Sequence, residues 1–224
     1  MGLFLTGHPI SPYEPDLKFL VGARLADVGG PKPAPAPEGG RSWSAGKPAT
    51  VAGLVLEIRR RPNRVTLILD DRTARLEVSL FEETFQQHRD IIVKDAILLV
   101  EGSLRYDDFI EGWRLQAKSL MDIDRARERF ARRLWLKWPT EFDQKDGLNR
   151  FEQVLKPHLK GPCGVSVAVS RADYTGKLHL SDAWSVRPSR ELLAKLSALV
   201  GREGWYLVYG PRNDVRGEET SSWR

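Results

Sequence analysis

From Lys47 onward, apolar residues alternate with polar ones in short runs, a two-residue period that predicts strands with one buried face. Thr50 to Ile58 is the first run, and Gly53 inside it predicts a bend or bulge. Val65 to Asp70 is the second. It turns through Asp71-Arg72-Thr73, residues suited to a hairpin, into Ala74 to Phe81. Glu82 to Ile91 reads as one short helix, followed by strands at Ala96 to Leu104 and Gly112 to Leu120. Three strands, a helix and two strands is the order of a five-stranded OB barrel.

Beyond the barrel, Asp122 or Asp124 is placed to cap a charged helix running to about Arg133. Leu134 to Trp138 then reads as a strand, Asp143 to His158 as a helix, and Val165 to Arg171 with Lys177 to Leu180 as a strand pair. Arg190 to Val200 reads as a helix and Trp205 to Tyr209 as a last strand. The order βαββαβ predicts a ferredoxin-like, split βαβ domain. The expected class is therefore α+β: a five-stranded OB barrel (47–121), a connecting helix (122–133) and a C-terminal βαββαβ domain (134–209). In front stand an ordered lead-in (1–28), interrupted by Pro9, Pro12 and Pro15, and a Pro/Gly-rich linker (29–46) with too little apolar material to order itself. A polar tail (210–224) closes the chain.

Composition narrows the class of protein. A chain of 224 residues with 41% hydrophobic and 29% charged residues has material for two cores. It has no apolar run near the roughly 18–20 residues of a membrane span. The start lacks the basic flank and long apolar core of a secretory signal; Gly2 with Thr6 fits a myristoylation pattern only loosely. One cysteine, Cys163, forms no internal disulfide and suits a reducing compartment, so the expected location is cytoplasmic. The net charge of +5 points to a polyanionic partner. Residues 46–121 hold 12 basic and 12 acidic side chains, whereas 122–224 hold 19 and 14, so the excess is C-terminal and any contact on the barrel must come from local clustering.

OB barrels bind single strands through the faces of their second and third strands and through two loops. The segment before the second strand holds Arg59, Arg60, Arg61, Asn63 and Arg64, four guanidiniums in six residues, suited to tracking phosphates. The segment before the fifth strand offers Tyr106, Phe109 and Trp113 as stacking platforms, although Asp107, Asp108 and Glu111 among them repel a phosphate backbone. The alternatives are a solvated hairpin tip for the arginines and plain packing for the aromatics. Asp70/Asp71 and Asp107/Asp108 are close carboxylate pairs of the kind that hold two metal ions, yet both fall in turns that favour Asp in any case. His8, His88, His158 and His179 lack zinc-ligand spacing. No nucleophile elbow and no phosphate loop occurs. The residues thus predict no catalytic centre, metal site or cofactor. In the C-terminal part, most of Trp135, Trp138, Trp184, Trp205 and Trp223 are expected in the core. Trp184, in Asp182-Ala183-Trp184-Ser185-Val186-Arg187-Pro188-Ser189, is the candidate exposed anchor for a partner.

Several segments together resemble the C-terminal region of the bacterial replicative DNA polymerase III alpha subunit family. They are Gly2-Leu3-Phe4-Leu5-Thr6-Gly7-His8-Pro9-Ile10, Leu69-Asp70-Asp71-Arg72 with Arg75-Leu76-Glu77-Val78, and Met121-Asp122-Ile123-Asp124 with Ala126-Arg127. Ala183-Trp184, Val186 and Pro188-Ser189 with Leu192-Leu193 follow in the same order. The resemblance runs from residue 2 to about residue 209. It implies a region without the catalytic palm of a DNA-directed DNA polymerase, a nucleotidyltransferase. The OB domain would contact single-stranded template, with Arg59 to Arg64 in the matching place, and the last domain, with Trp184 and Arg187, would bind the tau subunit of the clamp loader. The family's sliding-clamp motif precedes the Leu5-Thr6-Gly7-His8-Pro9 segment, so clamp binding is not expected of this chain. The proline-rich insert at 31–37 and the tail after Tyr209 depart from the family pattern. Three other readings compete: a stand-alone single-strand-binding or tRNA-binding OB protein, a purely structural scaffold favoured by the balanced barrel charge, and a chain that itself transfers nucleotides.

Overall fold

In a computed structural model of the chain, residues 8–31, 46–108, 110–143 and 145–210 are described. The residues fall into two units, Met1–Arg125 and Ala126–Arg224. In the first, the predicted alternation closes a barrel of β1 (Lys47–Arg61), β2 (Arg64–Asp70), β3 (Arg75–Phe81), β4 (Ile97–Asp107) and β5 (Gly112–Asp122), in the order β1-β2-β3-β5-β4. Every pairing is antiparallel except β3 with β5. Val65, Leu67 and Leu69 of β2, Leu76, Val78 and Leu80 of β3, and Leu115 of β5 point inward and are almost wholly buried. Helix α2 (Glu82–His88) lies between β3 and β4 in sequence and adds Phe85 to this core.

The strands outrun the apolar pattern. β1 continues through Arg59, Arg60 and Arg61, pairing Arg61 with Arg64, and β4 continues to Asp107, paired with Gly112. The two predicted loops shrink to Pro62–Asn63 and residues 108–111. A two-stranded ribbon beyond a barrel keeps its ladder hydrogen bonds with both faces in water, so its strands carry no alternation to read.

The lead-in packs on the barrel. A helical turn (Ser11–Tyr13) runs into α1 (Glu14–Leu20), and Leu25 and Val28 join the barrel core. Asp71 holds this segment. Its carboxylate, 3% exposed, accepts from the backbone N–H of Leu25 (2.9 Å), Thr73 (2.9 Å) and Ala74 (3.2 Å), and from the Thr73 hydroxyl. Burial pushes the acid up, but these donors outweigh it and hold it below the usual carboxylate range. The greater part of the predicted linker, residues 32–45, and all but the first residue of the predicted tail lie outside the described residues, as do residues 1–7.

The chain continues through α3 (Ile123–Phe130), three residues shorter than the predicted helix because Ala131, Arg132 and Arg133 already belong to a strand. The second unit has the predicted βαββαβ element order: β6 (Ala131–Trp138), α4 (Lys145–Leu155), β7 (Leu159–Ser170), β8 (Thr175–His179), α5 (Arg190–Val200) and β9 (Trp205–Tyr209). Strand order is β8-β7-β6-β9, with β6 and β7 parallel neighbours. The crossover through α4 therefore joins neighbouring strands, an unsplit βαβ unit in place of the split one expected, because element order does not fix which strands lie side by side. Phe151 and Leu155 of α4 and Leu192, Leu193 and Leu196 of α5 pack on Leu134, Leu136, Val165, Val167 and Leu207. The helices thus cover one face of the sheet. Ser189 caps α5, its hydroxyl accepting from the Leu192 N–H, and Gly201 ends it at φ 80°. Among the described residues, no helix is long and apolar enough to cross a membrane.

Candidate nucleic-acid interface

The arginine-rich segment is a hairpin tip. Asn63 sits there at φ 62°, a left-handed conformation that Asn tolerates, so its place in the chain has a backbone cause. The four guanidiniums are not equivalent. Arg59 is clamped by Glu57, with Nε at 2.8 Å and Nη2 at 2.7 Å from its two oxygens. That fork holds the Glu57 carboxyl below the usual range and raises the guanidinium. Arg60 lies 4.4 Å from the Phe85 ring centroid, a cation–π contact that ties it to α2. Arg61 and Arg64 are exposed and have no ion-pair partner among the described residues.

A row of ion pairs crosses the outside of the barrel beside this tip. Arg59 also reaches Glu77 of β3 (3.8 Å), Glu77 accepts from Arg114 of β5 (2.6 Å), and Arg114 reaches Asp107 of β4 (2.8 Å). Arg59, Arg114 and three of the barrel's carboxylates are therefore paired along this row, and the hairpin tip stands beside it as a positive end. Sequence reasoning missed Glu77 and Arg114. Their signal was the outward position of Glu77 between Leu76 and Val78, but the partner strand was known only once the parallel β3–β5 pairing was known.

The aromatics at the other end of the barrel are engaged. Tyr106 and Trp113 pair across β4 and β5 and meet edge to face, centroids 5.5 Å apart. Trp113 packs partly on the barrel core, and its Nε1 donates to the Gly30 carbonyl at 3.0 Å. Gly29 lies against the same ring so closely that a Cβ there would fall 2.1 Å from it. Phe109 lies outside the described residues. The arginine tip and the aromatic pair are thus different structures: one is open to water, the other is packed against Gly29 and Gly30 at the start of the predicted linker.

Neither aspartate pair is arranged around an open site. Asp70 accepts from the Arg72 N–H (2.8 Å) and pairs with Arg75 (3.1 Å), Asp71 holds the lead-in, and Asp107 pairs with Arg114. Among the described residues, no three His, Cys, Asp or Glu side chains are grouped to hold a metal ion.

In the second unit, Trp184 stands in a helical turn (Asp182–Trp184), half-buried against the core. Arg187 is exposed, 3.6 Å from Glu128. The segment between them is seated on the start of β7: Val186 bridges to Leu159 and Cys163, and the Arg187 N–H donates to the His158 carbonyl (2.8 Å). Gly161 permits the approach, since a Cβ there would fall 2.1 Å from the Val186 carbonyl carbon. Trp138 packs edge to face on Phe142 and Phe151, and Trp205 donates to the Ser197 hydroxyl (2.9 Å). Trp223 lies outside the described residues. Burial pushes the Cys163 thiol up to about 11, so it stays protonated and unreactive near neutrality.

Comparison with known proteins bears on both units. Residues 49–123 match the family model of an OB-fold nucleic acid binding domain, and residues 150–201 match that of the DNA polymerase III subunit alpha, C-terminal domain. The chain is 37% identical over 209 residues to DNA polymerase III subunit alpha of Escherichia coli strain K12, covering 91% of this chain and 17% of that protein. It is 32% identical over 214 residues to the subunit of the same name from Pseudomonas aeruginosa, covering 93% and 17%. It thus spans about a sixth of the length of these curated relatives. Among solved structures, asparaginyl-tRNA synthetase from Pyrococcus horikoshii aligns over 35% of this chain and 20% of its own, at 24% identity and a TM-score of 0.32.

Proposed function

Because the chain is homologous, over nine-tenths of its length, to the C-terminal region of the DNA polymerase III alpha subunit, we propose that it is a non-catalytic template-contact and assembly region of a replicative polymerase. In this reading the barrel touches single-stranded DNA, and the second unit docks the tau subunit of the clamp loader through the segment carrying Trp184 and Arg187. Nucleotide transfer belongs to a palm elsewhere in the polymerase, and the setting is the cytoplasm. One observation carries the reading of the barrel. A closed OB barrel raises a β1–β2 hairpin whose tip presents Arg61 and Arg64 to solvent without a carboxylate partner among the described residues, at the place where such barrels meet a strand.

The arginines act by replacing counterions on phosphates, while the ion-pair row beside them, two guanidiniums with three carboxylates, adds no net positive charge. The contact is expected to be weak to moderate, limited to the tip, and indifferent to base sequence. Binding of a fluorescent oligothymidylate across a salt series tests it. Arg61→Ala with Arg64→Ala is expected to flatten the dependence of log affinity on log salt by about 1.4, at roughly 0.7 per lost phosphate contact. An unchanged slope makes the barrel a scaffold. The tau contact is tested separately, by titrating the chain with purified tau: Arg187→Ala is expected to weaken binding, and an unaltered affinity removes this segment from the interface.

A further inference from the structure

The second sheet has a face that the helices do not cover, and its side chains are organised. Alternation along β6 sends Leu134, Leu136 and Trp138 toward the helices and leaves Arg133, Trp135 and Lys137 on the other side. Register places Ser166 and Ala168 of β7, Lys177 and His179 of β8, and Tyr206 and Val208 of β9 beside them. Trp135 is the centre. Tyr206 lies nearly parallel to it (12°, centroids 6.3 Å apart), His179 meets it edge-on at 5.5 Å, and the Lys177 ammonium is 5.7 Å from its ring. Arg133 donates to the Ser166 hydroxyl (2.9 Å), which is itself 2.7 Å from His179 Nδ1. Lys137, Lys177, His179 and Val208 are exposed. No carboxylate occupies any open-face position of the four strands, whereas on the barrel Arg59 and Arg114 both meet Glu77.

We propose that this open face, centred on Trp135 and Tyr206 and rimmed by Arg133, Lys137 and Lys177, is a second single-strand-binding surface, taking unpaired bases on its aromatic rings and phosphates on its cations. Flat aromatic rings on an open sheet with cations beside them, and no carboxylate on the strands themselves, suit a flexible polyanion with stackable bases. An acidic protein segment would use the cations but not the parallel rings. The surface extends the reading of this chain as a template-contact region, and stands on different residues from the Arg61/Arg64 tip. It also gives a place to the C-terminal excess of positive charge that the barrel does not use.

The test uses the full chain and fluorescein-labelled oligothymidylate across a salt series, with an abasic oligonucleotide of equal length and an oligoglutamate peptide as competitors. Lys137→Ala with Lys177→Ala, both exposed, is expected to reduce the salt slope by about 1.4. Trp135→Ala is expected to weaken binding about tenfold or more, as for loss of one stacking platform, and its fold is checked by circular dichroism. The abasic strand is expected to compete at least tenfold less well. Wild-type affinity and slope in the lysine pair, or equal competition by the abasic strand or the peptide, overturns the proposal. Loss in the sheet variants with none in Arg61→Ala/Arg64→Ala leaves this surface standing and removes the barrel contact; the reverse pattern does the opposite.

Discussion

The barrel and the second sheet hold similar charged and aromatic residues and arrange them in opposite ways. On the barrel, Glu57, Arg59, Glu77, Arg114 and Asp107 form a continuous ion-paired row, and Trp113 is closed over by Gly29 and Gly30. On the open face of the second sheet, arginine, lysine and histidine surround an accessible pair of rings with no acid among them. Charge count alone does not reveal a polyanion-binding surface. What matters is whether carboxylates share the strands with the cations, since a guanidinium paired across a sheet gives up one carboxylate to gain one phosphate and releases little.

The largest expected effect lies in how the barrel uses its carboxylates inside. Asp71→Ala strands the buried N–H of Leu25 and the part-buried N–H groups of Thr73 and Ala74. At roughly 1–3 kcal/mol for each group that water cannot reach, the first unit is expected to lose about 3 kcal/mol. Urea unfolding followed by hydrogen exchange is expected to show the loss in residues 8–125 and leave 131–209 protected; an equal loss in both units would mean that they do not unfold separately.

A smaller effect is expected from removing the contrast itself. Glu57→Gln with Glu77→Gln and Asp107→Asn releases Arg59 and Arg114 from the row, and oligothymidylate binding is expected to gain a few-fold in affinity at low salt. The salt slope is expected to steepen by up to about 1.4, or 0.7 for each cation freed. No gain would show that the barrel face is closed to a strand for reasons other than charge.

The smallest effect concerns protons. His158 is almost buried, and its Nε2 lacks a partner among the described residues. Burial holds the imidazole below its ordinary value, with Lys195 adding to the effect and Glu191 opposing it. The folded state therefore takes up this proton at lower pH than the unfolded chain, so stability is full above about pH 6.5 and is lost as pH falls through the lowered value. Asp71 behaves likewise in a separate window, beginning below about pH 3.9. The second unit is thus expected to weaken first on acidification. His158→Gln is expected to flatten the decline of its urea midpoint between about pH 7 and about pH 5, leaving the first unit unchanged; an equal decline in the variant would assign the proton elsewhere.

Much of this was legible in the chain. Two-residue alternation from Thr50 to Leu120 set out five strands and a helix, and burial of one face leaves such strands little choice but a closed barrel. The segments from Leu69 to Arg72 and from Ala183 to Leu193 carried the family resemblance that comparison with known proteins supports. Local signals also found the helix from Arg190 to Val200 and the arginine-rich turn, because helix periodicity and turns are decided by neighbours in sequence. Tertiary structure alone decided what depends on partners far along the chain. Those were the pairing of Arg59 and Arg114 through Glu77, the covering of Trp113 by Gly29, the side-by-side placing of β6 and β7, and the gathering of Trp135, Lys177, His179 and Tyr206 on one face. Alternation tells which side chains share a face of their own strand; only register and strand order tell which strands share that face.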